Sequence, residues 1–276
     1  MTGLISPREA LSRVPGLDSR WDCREMEGGL TNRSYIVRRG SRKFVLRLDA
    51  EHTATFGLDR RTELRILQEA AQASLAPKVH FADPDNGILV YAYLPGPVWS
   101  RGSLDADGNL ERLAILLRNV HRLPSAGTAL DTLAAAARYA AIASRDPELQ
   151  VHAVRCLDIV RTNPAPGTLC CCHNDVVAEN VVGGELLKLI DWEYAADNDP
   201  FFDLASLIGY HDLGQAQADR LRDAYTGGTD SQARERLRIQ LRLFHALQWL
   251  WFAARYVISP GRRHKERLEA LRERGS

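Results

Sequence analysis

His173, Asp175 and Asn180 stand close together in the run H-N-D-V-V-A-E-N, and eleven residues after Asn180 comes Asp191, at the end of the apolar run L-L-K-L-I. These types at this spacing suit transfer of a phosphoryl group. One carboxylate orients and deprotonates an attacking hydroxyl. A second carboxylate and a side-chain amide hold magnesium (Mg2+) against nucleotide phosphates, because oxygen ligands match this hard cation. A loop followed by a short strand brings such groups around one point. D-x-x-x-x-N alone arises often by chance. The His two residues earlier, the apolar strand on each side and the later Asp make the combination specific, with a set of turn residues capping a hairpin as the plain alternative.

The matching parts lie upstream. The segment GGLTNRS joins two predicted strands, so the backbone and hydroxyls around Gly29, Thr31, Asn32 and Ser34 are placed to cradle phosphate. It is neither G-x-G-x-x-G nor a Walker A loop, and taken alone it reads equally as a hairpin loop. Arg47 sits in the strand KFVLRLD, where a cation reaches phosphates. On the predicted helix 58–73, Ile66, Leu67 and Ala70 follow Glu63 at three, four and seven residues, which puts Glu63 on the apolar stripe. A carboxylate facing a core needs a cationic partner, and Arg47 is the candidate. YAYLPG, with Tyr91 and Tyr93, is the expected connection that meets an adenine through its backbone.

The elements that must position these groups follow from periodicity. Residues 6–13 form a short helix, with Ser6 as N-cap and Pro7 at its first position. WDCREM, SYIVRR, KFVLRLD, KVHFAD and GILVYAY read as five antiparallel strands, with the helix 58–73 between the third and fourth. LPGP at 94–97 breaks the pattern and divides a lobe 1–94 from a lobe 95–276. Beyond it helices are predicted at 109–122, 130–143, 147–162, 200–212, 215–225, 231–257 and 261–273, interrupted by one β-rich island holding a small hairpin. The expected fold is α+β, a five-stranded antiparallel lobe with one helix beside a larger helical lobe, with an active site between them.

Composition excludes several classes. The 276 residues carry 36 Lys and Arg against 35 Asp and Glu, a net charge of +1, which is no footprint for a nucleic-acid partner. Hydrophobic residues at 45% and charged residues at 26% describe an ordinary globular chain. The five cysteines (Cys23, Cys156, Cys170, Cys171 and Cys172) have no zinc-finger spacing and read as reduced thiols of a cytoplasmic protein. The N-terminus lacks a signal-peptide core, and the most apolar late stretch, 244–258, is interrupted and too short to span a bilayer, so no membrane partner is expected.

The island resembles the choline-kinase and aminoglycoside-phosphotransferase superfamily, a branch of the protein-kinase-like fold. CHNDVVAENVV is similar to its catalytic loop. LIDWEYAADNDPFFDLA is similar to the metal-binding segment of its choline/ethanolamine-kinase and thiamine-kinase members, and GGLTNRSYIV with VLRL to their nucleotide loop and third strand. The resemblance runs from about residue 25 to 256; the helices between 105 and 165 contribute little to it. It implies ATP and magnesium as cofactors, Asp175 as catalytic base, Asn180 and Asp191 as magnesium ligands, and Arg47, held by Glu63, on the phosphates. It implies structural roles for Asp203 and His173. Val176 and Ala178 replace the Leu and Pro common in the loop, and neither change touches a chemical group. No D-F-G or A-P-E segment follows, which argues against a protein kinase.

The acceptor is read from charge and aromatics. The window 189–219 has seven acids and no Lys or Arg, a bias toward a cationic small-molecule alcohol, with a solvated acidic face as the alternative. Trp192 and Tyr194 follow Asp191. Trp249, Phe252 and Tyr256 share one helical face, and aromatic faces hold quaternary ammonium groups. Tyr194, Tyr210, Trp249 and Phe252 are therefore the expected substrate-binding set, with Trp251 the best candidate for plain core packing. Choline- and thiamine-kinase members usually carry Glu where Tyr210 stands, which leaves choline, ethanolamine and thiamine open as acceptors, with aminoglycosides less favoured. A non-catalytic nucleotide-binding regulator is the rival of another class, opposed by the intact Asp175, Asn180 and Asp191. The basic C-terminus reads as an exposed amphipathic helix.

Overall fold

The computed structural model describes residues 4–18, 20–26, 31–51, 53–163 and 167–274. Five strands, β1 (Asp22–Glu25), β2 (Asn32–Arg39), β3 (Arg42–Asp49), β4 (Val79–Asp83) and β5 (Ile88–Ala92), form an antiparallel sheet in the order β1-β2-β3-β5-β4. The strand period of two sorts β3 into two faces. Leu46 and Leu48 join Val37, Ile88 and Val90 in a small core covered by Ala10 and Leu11 of the helix α1 (Pro7–Ser12). Arg47, between them, is buried from the other face, opposite Ser34 on β2 and Leu89 on β5.

That second face meets α2 (Arg60–Gln72). Asp59 caps α2 by accepting the N–H groups of Arg61 and Thr62. Its apolar stripe buries Ile66, Leu67 and Ala70, with Glu63 among them. Ile66, Leu67 and Leu89 belong to the same large core as the helices that follow, so sheet and helices share buried surface.

The remaining helices are α3 (Asn109–Val120), α4 (Thr132–Ala143), α5 (Pro147–Arg161), α6 (Phe201–His211), α7 (Gln215–Thr226), α8 (Ser231–Ile258) and α9 (Arg262–Arg274). All seven helices expected beyond residue 97 are present within a few residues of their expected ends. The single hairpin expected in the island is instead two ladders. β6 (Cys170–Cys172) pairs with β9 (Ala196–Asn198), and β7 (Val181–Val182) pairs with β8 (Lys188–Leu189). The residues between the two ladders, 173–180, thus form a loop entered from β6 and left through β7. Among the described residues no helix is long and apolar enough to cross a membrane, and the five cysteines are free thiols.

Candidate active site

The segment expected to carry the chemistry lies between β6 and β7, and α6 holds it. Buried Asp203 accepts the backbone N–H of His173 (2.9 Å) and of Asn174 (2.7 Å), and it is hydrogen-bonded to His121 Nε2 on the turn after α3 (3.0 Å). Ser206 donates to the Val176 carbonyl (3.2 Å), and His211 accepts the Ala178 N–H (2.9 Å). Asn174 takes a left-handed φ of 63° and is fixed through its side chain, which donates to the carbonyls of Tyr194 and Ala196 and accepts from Asn198. His173 is fully buried. Its Nδ1 accepts the Asp175 N–H (3.3 Å), so Nε2 carries the hydrogen and donates to the Ile190 carbonyl (3.0 Å). The imidazole thus ties the loop to the segment that carries Asp191.

Asp175 and Asn180 meet across the loop. The Asn180 amide donates to the Asp175 carbonyl (3.0 Å) and to its carboxylate (3.3 Å). Burial and the neighbouring charge of Glu193 push the Asp175 carboxyl up to about 7, against the hydrogen bond from Asn180. Asp191 follows β8 in a left-handed conformation, φ 63°, which turns its carboxylate out of the strand into the cleft. Burial, then the charge of Glu193, raise its pKa well above the usual carboxylate range, with Arg47 acting in the other direction. Two carboxylates and an amide oxygen lining one cleft are a fitting donor set for magnesium.

Arg47 and Glu63 form a bidentate buried pair, with the second guanidinium bond at 2.7 Å, and Arg47 reaches Asp191 at 3.5 Å. Burial alone would raise the Glu63 pKa, but Arg47 and then Arg60 hold it below the ordinary carboxylate range. Removing Arg47 would leave Glu63 to Arg60 alone, and removing Glu63 would leave Arg47 to Asp191, so either loss weakens a buried charge network.

Two residues given no site role in the sequence reading, one of them among its seven acids, complete this network. Glu193 is buried and accepts from Thr31 Oγ1 (2.5 Å), Asn32 Nδ2 (2.7 Å) and Arg60 Nη1 (3.1 Å). Arg60 also donates to Asn32 Oδ1 (2.8 Å), Glu63 (2.9 Å) and Asp49 (2.9 Å). The segment between β1 and β2 is thereby joined to the segment after Asp191. The only signals in the sequence were the W-E-Y run beside Asp191 and an Arg three residues before Glu63.

One cleft of about 890 Å³ collects most of the expected residues. Thr31, Asn32, Ser34, Arg47, Tyr91, Asp175, Asn180, Asp191, Tyr194, Tyr210 and Phe252 all line it. Glu63 lies behind Arg47. Gly29 lies outside the described residues. Tyr93 stands away from this wall, its ring 5.3 Å from the Lys43 ammonium. The expectation for the two tryptophans of α8 is reversed. The cleft wall takes Phe244, Leu247, Gln248, Trp251 and Phe252, the i, i+3, i+4, i+7, i+8 stripe of one helix face. Trp249 lies about 130° from the centre of that stripe at 3.6 residues per turn, and is buried against His152, with ring centroids 4.3 Å apart.

The acidic window also changes meaning. Asp197 accepts from Ser125 and from the N–H groups of Ala126 and Gly127. Asp199 caps Phe201 and pairs with Arg236, Asp203 holds the loop, and Asp219 pairs with Arg222. With Glu193, at least five of the seven acids are thus engaged in holding the structure together, and the bias by itself does not define the acceptor.

A loop held by α6, a buried Arg–Glu pair and a cleft between sheet and helices define a kinase-like phosphotransferase. Comparison with known proteins agrees. The model of the phosphotransferase enzyme family APH matches residues 22–239. A thiamine kinase of Salmonella typhi is 33% identical over 236 residues, covering 83% of this chain and 81% of that protein. A choline/ethanolamine kinase family protein from Mesorhizobium loti shares the fold with a TM-score of 0.75, at 24% identity, over 97% of this chain and 92% of that one. Choline kinase LicA from Streptococcus pneumoniae does so with a TM-score of 0.74, at 19% identity, over 91% and 92%. The chain belongs to the phosphotransferase enzyme family and is a small-molecule kinase.

Proposed function

We propose that the protein transfers the γ-phosphoryl group of ATP to the hydroxyl of a small, cationic metabolite. The observation that carries this reading is the convergence of Asp175, Asn180, Asp191 and the Arg47–Glu63 pair on one cleft. The acceptor hydroxyl lies against Asp175, whose carboxylate takes its proton as the oxygen attacks phosphorus. Arg47 offsets negative charge on the phosphates, and Glu63 keeps it aimed. Thr31, Asn32 and Ser34 border the phosphate end, and Tyr91 borders the adenine end. Asn180 and Asp191 would hold magnesium, which would supply charge neutralisation at the phosphate end. Tyr194, Tyr210 and Phe252 bound the acceptor end.

The choline and ethanolamine type of acceptor is supported by the aromatic residues facing the acidic groups. The thiamine type is supported by the thiamine kinase relative, which matches across most of the chain. The test is ADP release from ATP and magnesium with choline, ethanolamine, thiamine, kanamycin and a sugar amine in turn. Stimulation by choline, ethanolamine or thiamine supports the reading. Stimulation by kanamycin alone, or by none, removes the acceptor assignment.

A further inference from the structure

Behind the loop that carries Asp175, four side chains with metal-binding atoms meet. The strand period of two puts Cys170 and Cys172 on one face of β6 and Cys171 on the other. The sulfurs of Cys170 and Cys172 stand 3.8 Å apart. Beside Cys172 are His121, on the turn after α3, and Asp203 of α6. The ligand atoms of His121, Cys172 and Asp203 all lie within 4.8 Å of one another. Cys172 and Asp203 are fully buried, and Cys170 is half-buried. None of the four lines the cleft that collects Asp175, Asn180 and Asp191.

We propose that Cys170, Cys172, His121 and Asp203 form a site for a thiophilic divalent cation of the zinc class, separate from the donor set that suits magnesium. Two sulfurs bound at about 2.3 Å to one tetrahedral ion are about 3.8 Å apart, which is the separation of this pair. His121 has the outer partner that a ligating imidazole needs. Its Nδ1 is 2.8 Å from the Tyr225 hydroxyl, and its Nε2 is 3.0 Å from Asp203. With the ring hydrogen on Nδ1, donated to the Tyr225 oxygen, Nε2 offers its lone pair to the cation. Cys170 supplies the fourth ligand from the outer side by a turn about its Cα–Cβ bond. The imidazole stays neutral and each thiol gives its proton to solvent, so two protons leave as one cation binds. The His121–Asp203 hydrogen bond is exchanged for two metal bonds, while Asp203 goes on accepting from His173 and Asn174. The cation thereby ties the end of α3, β6 and α6 together beneath the loop. Magnesium, a hard ion that takes oxygen ligands, does not compete for two sulfurs. Cysteine spacing alone could not announce this site, because the other two ligands are distant in the sequence.

The test is titration of cobalt(II), then of zinc, into the full chain, reduced, stripped of metal with a chelator and held in excess magnesium. A single equivalent of cobalt should give the visible bands of a tetrahedral ion and a near-ultraviolet sulfur-to-cobalt band. Zinc should displace it and raise the Tm. Competition with a chromophoric chelator should show zinc bound at least about tenfold more weakly by Cys172→Ser and by Cys170→Ser, with a smaller zinc-dependent rise in Tm. Cys171→Ser, on the opposite face, should bind zinc like the wild type. ADP affinity reports that each variant is folded. If Cys172→Ser does not fold, Cys170→Ser, at the half-buried position, carries the same expectation. An octahedral cobalt spectrum, tetrahedral bands that survive both serine variants of the pair, an equal loss in Cys171→Ser, or displacement of cobalt by magnesium overturns the proposal.

Discussion

At the scale of single residues the site is a set of opposed charges held out of water. In the proposed reaction Asp175 accepts the hydroxyl proton, and its carboxyl is pushed up to about 7 by burial and by Glu193. Only the ionised form accepts, so kcat/KM should fall tenfold per unit as pH drops below that value and level off above it. A pH profile flat from 8 down to 5 would exclude Asp175 as the base. Glu193 does a different task, since it accepts from Thr31, Asn32 and Arg60 at once. Glu193→Ala removes charge-assisted bonds of about 1.5–3 kcal/mol each. It should raise KM for ATP about tenfold, with a lower Tm. An unchanged KM would show that the connection between residues 31–32 and 193 does not shape the nucleotide end.

At the scale of elements, two devices position the chemistry: α6 beneath the loop, and the turn between β7 and β8. Burial opposes the charge of Asp203, but the hydrogen bond from His121 and the N–H groups it accepts hold its pKa below the ordinary carboxylate range. Its contribution to stability is therefore present above pH ~4 and lost as pH falls through the depressed value. Asp203→Asn should cost about 1–3 kcal/mol, read as a lower denaturant midpoint with a larger loss of kcat. In the turn, Gly183 has φ 124°, and a Cβ there would stand 2.2 Å from the Leu186 carbonyl oxygen. Gly183→Ala should cost about 1–3 kcal/mol. An unchanged Tm in that variant would contradict the tightness of the turn.

Elements were legible in the sequence where one period dominated. The strands, α2 and the position of Glu63 on its apolar stripe all follow from alternation and spacing. Spacing also singled out Asp175, Asn180 and Asp191, and the three line one cleft. What stayed hidden depends on contacts distant in sequence. Thr31 and Glu193 are 162 residues apart, and nothing local in W-E-Y announces that contact. α8 is buried on several sides, with Trp249, Leu250, Phe252 and Ala253 all covered, so its pattern does not say which face looks into the cleft. That is why Trp249 and Trp251 exchange places.

At the scale of the whole molecule, the sheet and helices share one core through Ile66, Leu67 and Leu89, and the cleft opens between them. Such an arrangement can bind a nucleotide without using it, so binding alone does not separate a kinase from a regulator. The Asp175→Asn variant does, because it keeps size and hydrogen bonding while removing the base. The measurement to make is ADP release with the best acceptor, wild type beside Asp175→Asn, together with ATP affinity for both. The expected result is a loss of turnover of about 10²–10⁴ with ATP affinity within a few-fold of the wild type. Turnover at the wild-type rate in Asp175→Asn would contradict the assignment of Asp175 and the phosphoryl-transfer geometry built around it.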